Sequence, residues 1–224
     1  MKHSFWKLLK SYFHDISIEK SGSPYNPYLE VLLVQGRHQL VTKDAVYSFD
    51  DKYINFYKAF KKINWKDNNI EKVLVLGLGL GSVILMLEKK FGLKLDYTAI
   101  EIDSAICQLA QKYTLSDLDS FVEVICTDAM SFLEITEEKY DFIIMDIFQS
   151  ALIPPKFQSD EFLKLLGSRL NNKGLLLFNR MNITERDDRE NNTFRNRFNN
   201  VYPDMHELKI KDNLIFVNNP DYID

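Results

Sequence analysis

The chain has 224 residues, 46% of them hydrophobic and 27% charged, which fits one folded domain with a small addition and excludes a wholly disordered or fibrous protein. Its 28 Lys and Arg against 32 Asp and Glu leave a net charge of −4, so broad neutralisation of phosphates is not its main business and no nucleic-acid partner is expected. Two cysteines, Cys107 and Cys126, and four scattered histidines, His3, His14, His38 and His206, build neither a disulfide framework nor a metal site; no metal is assigned and a reducing cytoplasm is the expected location.

Residues 4–14 place Phe5, Leu8, Leu9, Tyr12 and Phe13 on one helical face, expected to pack on the body or on a partner subunit. A membrane-surface role is the weaker reading, since Lys2, Lys7 and Lys10 are the only cations there. The chain has neither an apolar run of about 18 residues to span a bilayer nor a secretory signal pattern, so no membrane partner is expected. Gly22, Ser23, Pro24 and Pro27 break the chain, and the apolar runs 29–34 and 39–41 flank Gly36-Arg37 as strand, turn and strand, so residues 16–48 read as a small β appendage. Ser48 followed by Asp51 is a helix-start signal, and Tyr53, Phe56, Tyr57, Phe60 and Ile63 recur at helical spacing behind it. The expected division is 1–48 for the terminal helix and β appendage, 49–69 for a connecting helix and linker, and 70–224 for the main domain.

From there apolar runs at 72–76, 95–100, 121–125, 142–145 and 175–178 alternate with helical patterns at 82–91, 104–113, 129–135 and 160–170. Continuous apolar strands alternating with helices predict a mostly parallel sheet covered on both faces. Residues 207–210 and 214–217, separated by Lys211-Asp212-Asn213, can only pair antiparallel, because so short a turn cannot make a crossover.

The strongest chemical signal is the buried strand that runs into Gly77-Leu-Gly79-Leu-Gly81 and then a helix. Glycines at alternate positions let the backbone turn tightly and approach a ligand, and the absence of Gly-Lys-Ser/Thr excludes a phosphate loop for ATP or GTP. Glu101 ends the next strand about 20 residues later, the spacing of a carboxylate that receives ribose hydroxyls. Asp103 reads as the cap of the following helix. Asp128, in Thr127-Asp128-Ala129, either accepts from an exocyclic amine or caps the helix behind it. Asp146 ends the fourth strand, where ligands bind in open α/β sheets, and could orient or deprotonate an amine or hydroxyl. Residues 147–155 lack helical periodicity and read either as a lid or as a plain surface loop.

Together these residues resemble the class I S-adenosylmethionine-dependent methyltransferase superfamily and, within it, the spermidine synthase branch of aminopropyltransferases. The resemblance implies a Rossmann-like fold of seven strands with an antiparallel C-terminal hairpin, where dinucleotide-binding domains end on a parallel strand. It also implies a small N-terminal β domain and a homodimer, for which Phe5, Trp6, Leu9 and Phe13 offer an apolar set. Gly77, Gly79 and Gly81 correspond to the family's glycine loop, Glu101-Ile102-Asp103 to its ribose motif, and Asp128-Ala129 to its adenine-side motif. Asp146 corresponds to the first aspartate of its catalytic loop.

The departures bear on which group is transferred. Leu80 stands where aminopropyltransferases carry an aspartate facing the donor's ammonium. Gln149 replaces the second loop aspartate, and Ile54-Asn55-Phe56 replaces a Tyr-His/Gln-Glu triplet. Asp50-Asp51 is the one place where the family's Asp-Glu pair would be retained. The expectation is therefore a spermidine-synthase-like transferase that moves a methyl group from S-adenosylmethionine to a small-molecule acceptor. Aminopropyl transfer from the decarboxylated donor, or a non-catalytic binder of methylthioadenosine, are the alternatives. A nicotinamide-dependent dehydrogenase is opposed by the terminal hairpin. Arg186, Arg189, Arg195 and Arg197 are interleaved with Glu185, Asp187, Asp188 and Glu190, which reads as a solvated helix face rather than a nucleic-acid surface.

Overall fold

The structure is a computed structural model that describes residues 3–65 and 69–223; Lys2, residues 66–68 of the expected linker and residue 224 lie outside the described residues. Two sheets make up the frame. A four-stranded antiparallel sheet runs β1 (Ile16–Ser21), β2 (Leu29–Val34), β3 (Arg37–Thr42) and β4 (Val46–Phe49) in sequential order. The large sheet contains β5 (Lys72–Leu76), β6 (Asp96–Glu101), β7 (Phe121–Cys126), β8 (Tyr140–Met145), β9 (Leu170–Met181), β10 (His206–Ile210) and β11 (Asn213–Val217). Its order is β10-β11-β9-β8-β5-β6-β7, parallel from β9 to β7, with β11 antiparallel to β9 and β10 antiparallel to β11. The chain builds outward from β5 to β7 and then returns to place β8 on the other side of β5, so strand order reverses between β5 and β8. In open α/β sheets, that is where a ligand crevice opens.

The helices α3 (Ser82–Phe91), α4 (Ser104–Tyr113), α5 (Ala129–Ile135), α6 (Asp160–Ser168) and α7 (Glu185–Val201) alternate with these strands. One apolar layer gathers α2 (Ile54–Phe60) and α3 with Val73, Phe142 and Ile215; the opposite layer packs Phe162, Phe194 and Phe198 on Phe178 and Phe216. Only Asn191, Phe194 and Phe198 are buried on α7, while Arg186 pairs with Glu190 at 2.7 Å and Arg195 pairs with Glu207, in line with the expected solvated face.

Three expectations need correction. The terminal helix, α1, covers only Phe5–Lys10 and buries none of its residues, with Phe5 and Trp6 each 70% exposed; the segment meets the small sheet through Ser11 behind it, which accepts from Gln35 N at 2.8 Å and Gly36 N at 2.9 Å, rather than through its apolar face. Ser48 starts no helix, because its hydroxyl lies 2.6 Å from Ser82 Oγ at the start of α3; residues 50–52 form a 3-10 turn and α2 begins at Ile54. β9 reaches Met181, beyond the expected end at 178, since Asn179 and Arg180 both find buried partners. No helix among the described residues is long and apolar enough to cross a membrane.

The small sheet docks on the large unit through Leu29, Val31 and Leu40, which pack against Leu80, Ile106, Leu109 and Tyr113. Asp103 fastens the contact. It is fully buried, caps α4 by accepting from Ala105 N at 2.9 Å, and its other oxygen accepts from Asn26 Nδ2 at 2.8 Å and from the Ser23 hydroxyl. Replacing it removes a helix cap and leaves two polar partners unpaired, so Asp103→Ala is expected to cost about 3 kcal/mol in urea unfolding.

Candidate active site

A cavity of about 850 Å³ opens along the carboxyl edge of the large sheet, with the small sheet as its opposite wall. Its size suits a nucleoside-sized ligand together with a second molecule. The glycine loop sits at its middle. Gly77 adopts φ +88°, and a Cβ there would stand 2.5 Å from the Asp146 carbonyl oxygen, so only glycine lets the ends of β5 and β8 come together. Gly79, at φ +53°, lies against the backbone of Tyr47 on β4 and borders the cavity. Gly81 does not border it: this residue caps α3 at φ +87°, and its missing side chain makes room for Leu115.

On the β5-β6-β7 side, the Glu101 carboxylate faces the cavity in a fixed pose, one oxygen accepting from Leu78 N at 3.2 Å and the other from Asp103 N at 3.1 Å. Burial raises its pKa, and these backbone N–H groups offset part of that rise. Ile102 and Ala129 border the same region. Asp128 caps α5 through Met130 N at 3.1 Å and Ser131 N at 3.2 Å, and it also borders the cavity. It also forms an ion pair with Lys156, a partner the sequence does not announce.

Across the switch point lies Asp146. Asn179 Nδ2 donates to it at 2.8 Å and the Tyr53 hydroxyl bonds to it, while Asn179 Oδ1 accepts from Asn213 at 3.0 Å. Burial drives the Asp146 pKa from 3.8 up to about 7, although both hydrogen bonds pull the other way. A carboxyl group poised near neutrality in a cleft can take up and release a proton at working pH. Tyr53, Asn179 and Asn213 are functional candidates that the sequence reading missed. Tyr53 passes there for the first apolar residue of a helix, and the signal for Asn179 is an amide directly after an apolar strand run.

Leu80 is corrected most sharply. Its side chain does not face the cavity; it is fully buried against Leu29, Val31 and Leu40 of the small sheet. Asp50 and Asp51 also lie outside the lining. Asp50 accepts from the His38 backbone N–H at 2.7 Å, and Asp51 is paired with Arg37 and Lys90. Of residues 147–155, positions 147–151 and 154 line the cavity: Ser150 N donates to the Tyr47 hydroxyl at 2.9 Å, and Gln158, held by Arg180 at 2.8 Å, donates to the Ile153 carbonyl. Among the described residues no cluster of three or more His, Cys, Asp or Glu could hold a metal ion.

A seven-stranded sheet with this order, its antiparallel terminal hairpin and a cavity at its switch point define a Rossmann-like protein of the methyltransferase fold. The chain belongs to the family of the spermine/spermidine synthase domain, whose model matches residues 60–205. A polyamine aminopropyltransferase of Vibrio vulnificus is 30% identical over 135 residues, which are 59% of this chain and 45% of that protein. The spermidine synthase of Thermotoga maritima superposes with a TM-score of 0.67 at 13% identity, over 90% of this chain and 72% of that one. Human methyltransferase-like protein 13, solved with SAH, gives 0.57 at 23% identity over 66% and 71%. These structural likenesses concern the fold, and the chain spans less than half the length of the curated relatives it matches.

Asp146 makes stability depend on pH. Because its pKa is about 7 when folded and 3.8 ordinarily, its contribution is complete below about pH 4 and is lost as pH rises through 7. The Asp146→Asn variant lacks this titration. Its melting temperature should therefore gain about 3 °C or more on the unaltered protein between pH 5 and pH 8, by calorimetry without added nucleoside.

Proposed function

We propose that this chain transfers an aminopropyl group from decarboxylated S-adenosylmethionine to a small amine and leaves methylthioadenosine. The observation that carries the reading is Asp146, a carboxyl group near neutrality between Tyr53 and Asn179 at the strand switch point. The family match and the relatives named for aminopropyl transfer support the same choice over methyl transfer. The argument for methyl transfer from Leu80 loses its force because that side chain lies outside the cavity.

The residues present fit the nucleoside. Glu101 is held so that its free lone pairs face the cavity for two ribose hydroxyls, and Gly77 and Gly79 leave the backbone open to close approach. Ile102 lies beside the sugar in this reading, and Asp128 takes the adenine amine at the Lys156 end. When bound, the sulfonium supplies a carbon next to a neutral leaving group. Asp146 orients the amine nitrogen toward that carbon and receives the proton the nitrogen sheds, with Tyr53 and Asn179 fixing the carboxyl group's direction. Segment 147–155 excludes water from the reacting atoms.

Methyl transfer from intact S-adenosylmethionine is the second reading. It is favoured by Gln149 on the cavity wall in place of an acid, which leaves that part of the lining without a partner for a donor ammonium.

Calorimetric titration with S-adenosylmethionine, its decarboxylated form and methylthioadenosine distinguishes the two. The decarboxylated donor is expected to bind at least tenfold more tightly than the intact one; the opposite preference replaces aminopropyl with methyl transfer. Glu101→Gln should weaken methylthioadenosine binding by about 30-fold or more, as two hydrogen bonds to a charged acceptor become neutral ones. Asp146→Asn should keep nucleoside affinity within about threefold while turnover falls about 100-fold.

A further inference from the structure

The carboxylates that border the cavity are Asp44, Glu101, Asp128, Asp146 and Asp212. Glu101 and Asp128 belong to the nucleoside side, and Asp128 is already paired with Lys156. Asp44 sits on the exposed turn between β3 and β4. Asp212 is paired with Lys211 at 3.0 Å on the hairpin rim. Outside the nucleoside side, and among the described residues, Asp146 is thus the one lining acid that is withdrawn from solvent and free of a printed ion pair; Asp44, also free of one, stands out on its turn.

Beyond its neutral partners Tyr53 and Asn179, the lining on the Asp146 side carries a set of large apolar residues alongside the uncharged Asn55 and Gln149. Phe148 comes from segment 147–155, Met181 from the end of β9, Ile183 from just beyond it, Ile210 from the hairpin and Ile54 from the start of α2. Ile183 and Ile54 are 61% and 48% exposed, so the apolar part of the lining reaches the solvent side of the cavity. The Lys52 ammonium is engaged by Gln35, outside the lining, and the acidic pair Asp50-Asp51 is turned away to His38, Arg37 and Lys90. A second ammonium would find Asp212 already paired with Lys211 and Asp44 out on an exposed turn, and an unpaired charge set against the apolar residues is costly. An alkyl or aryl body would instead bury against the isoleucines, Met181 and Phe148.

We infer that the acceptor is a monoamine with an apolar body, its nitrogen on Asp146 and its hydrocarbon on Phe148, Met181, Ile183 and Ile210. This rests on the amine-transfer reading above and narrows its substrate class away from diamines and longer polyamines. Ile183 becomes a residue that sets specificity, since it stands where the far end of an acceptor would emerge.

The test is calorimetric titration of the full chain, loaded with methylthioadenosine, using hexylamine, phenethylamine and 1,4-diaminobutane. The monoamines are expected to bind at least tenfold more tightly than the diamine. Ile183→Asp, an exposed substitution without risk to the core, should cut that margin at least threefold by supplying a partner for a second ammonium. Asp212→Ala should leave the margin unchanged. Equal or tighter binding of the diamine by the unaltered protein overturns the inference and leaves amine transfer standing. If methylthioadenosine binds but no amine does, the inference and the amine reading both fall. If methylthioadenosine itself does not bind, the nucleoside assignment is wrong, and the same comparison on the unloaded protein still decides the acceptor class.

Discussion

The ends of β5 and β8 meet where Gly77 has no side chain, and most of what lies above the sheet depends on that approach. A methyl group at Gly77 would collide with the Asp146 carbonyl, so the two strands would part at the point where their order reverses. The backbone ladder carries through this contact, with Asp146 N donating to the Leu76 carbonyl at 2.8 Å and Gly77 N to that of Ile100 at 3.0 Å. Those two bonds fix the spacing between Glu101 on one side and Asp146 on the other. The distance between these two carboxyl groups is thus a property of sheet geometry rather than of flexible loops.

The small sheet completes this arrangement. Tyr47 links three parts at once: its hydroxyl donates to Asn26 at 3.2 Å and accepts from Ser150 N, while its own carbonyl lies against Gly79. Ser48 and Asp103 anchor the same wall to the starts of α3 and α4. A β appendage read from sequence as an addition is in fact one side of the cavity, and this explains why the glycine loop packs on protein as well as bordering the cavity.

The parallel strands, their helices and the terminal hairpin were legible because continuous apolar runs and very short turns leave few alternatives. Glu101 and Asp146 were legible for a related reason: an acid that ends an apolar strand has few structural excuses. Other features depend on contacts far apart in the chain. Leu80 sits between two glycines of positive φ, and its position in the motif says nothing about which way its side chain points; the docking of the small sheet decides that. Ser48 has the spacing of a helix cap, yet its hydroxyl goes to Ser82 instead. Tyr53 shares the spacing of the apolar face of α2 but precedes the helix, and that offset frees its hydroxyl for Asp146.

The carboxyl group of Asp146 has a thermodynamic consequence for whatever binds beside it. With a pKa of about 7, roughly half of the ligand-free molecules carry its proton at neutral pH. A cation arriving there stabilises the charged form and expels that proton to the solvent. Association is then coupled to buffer ionisation, so the apparent heat of binding varies with the buffer chosen, and the slope of that variation counts the protons displaced.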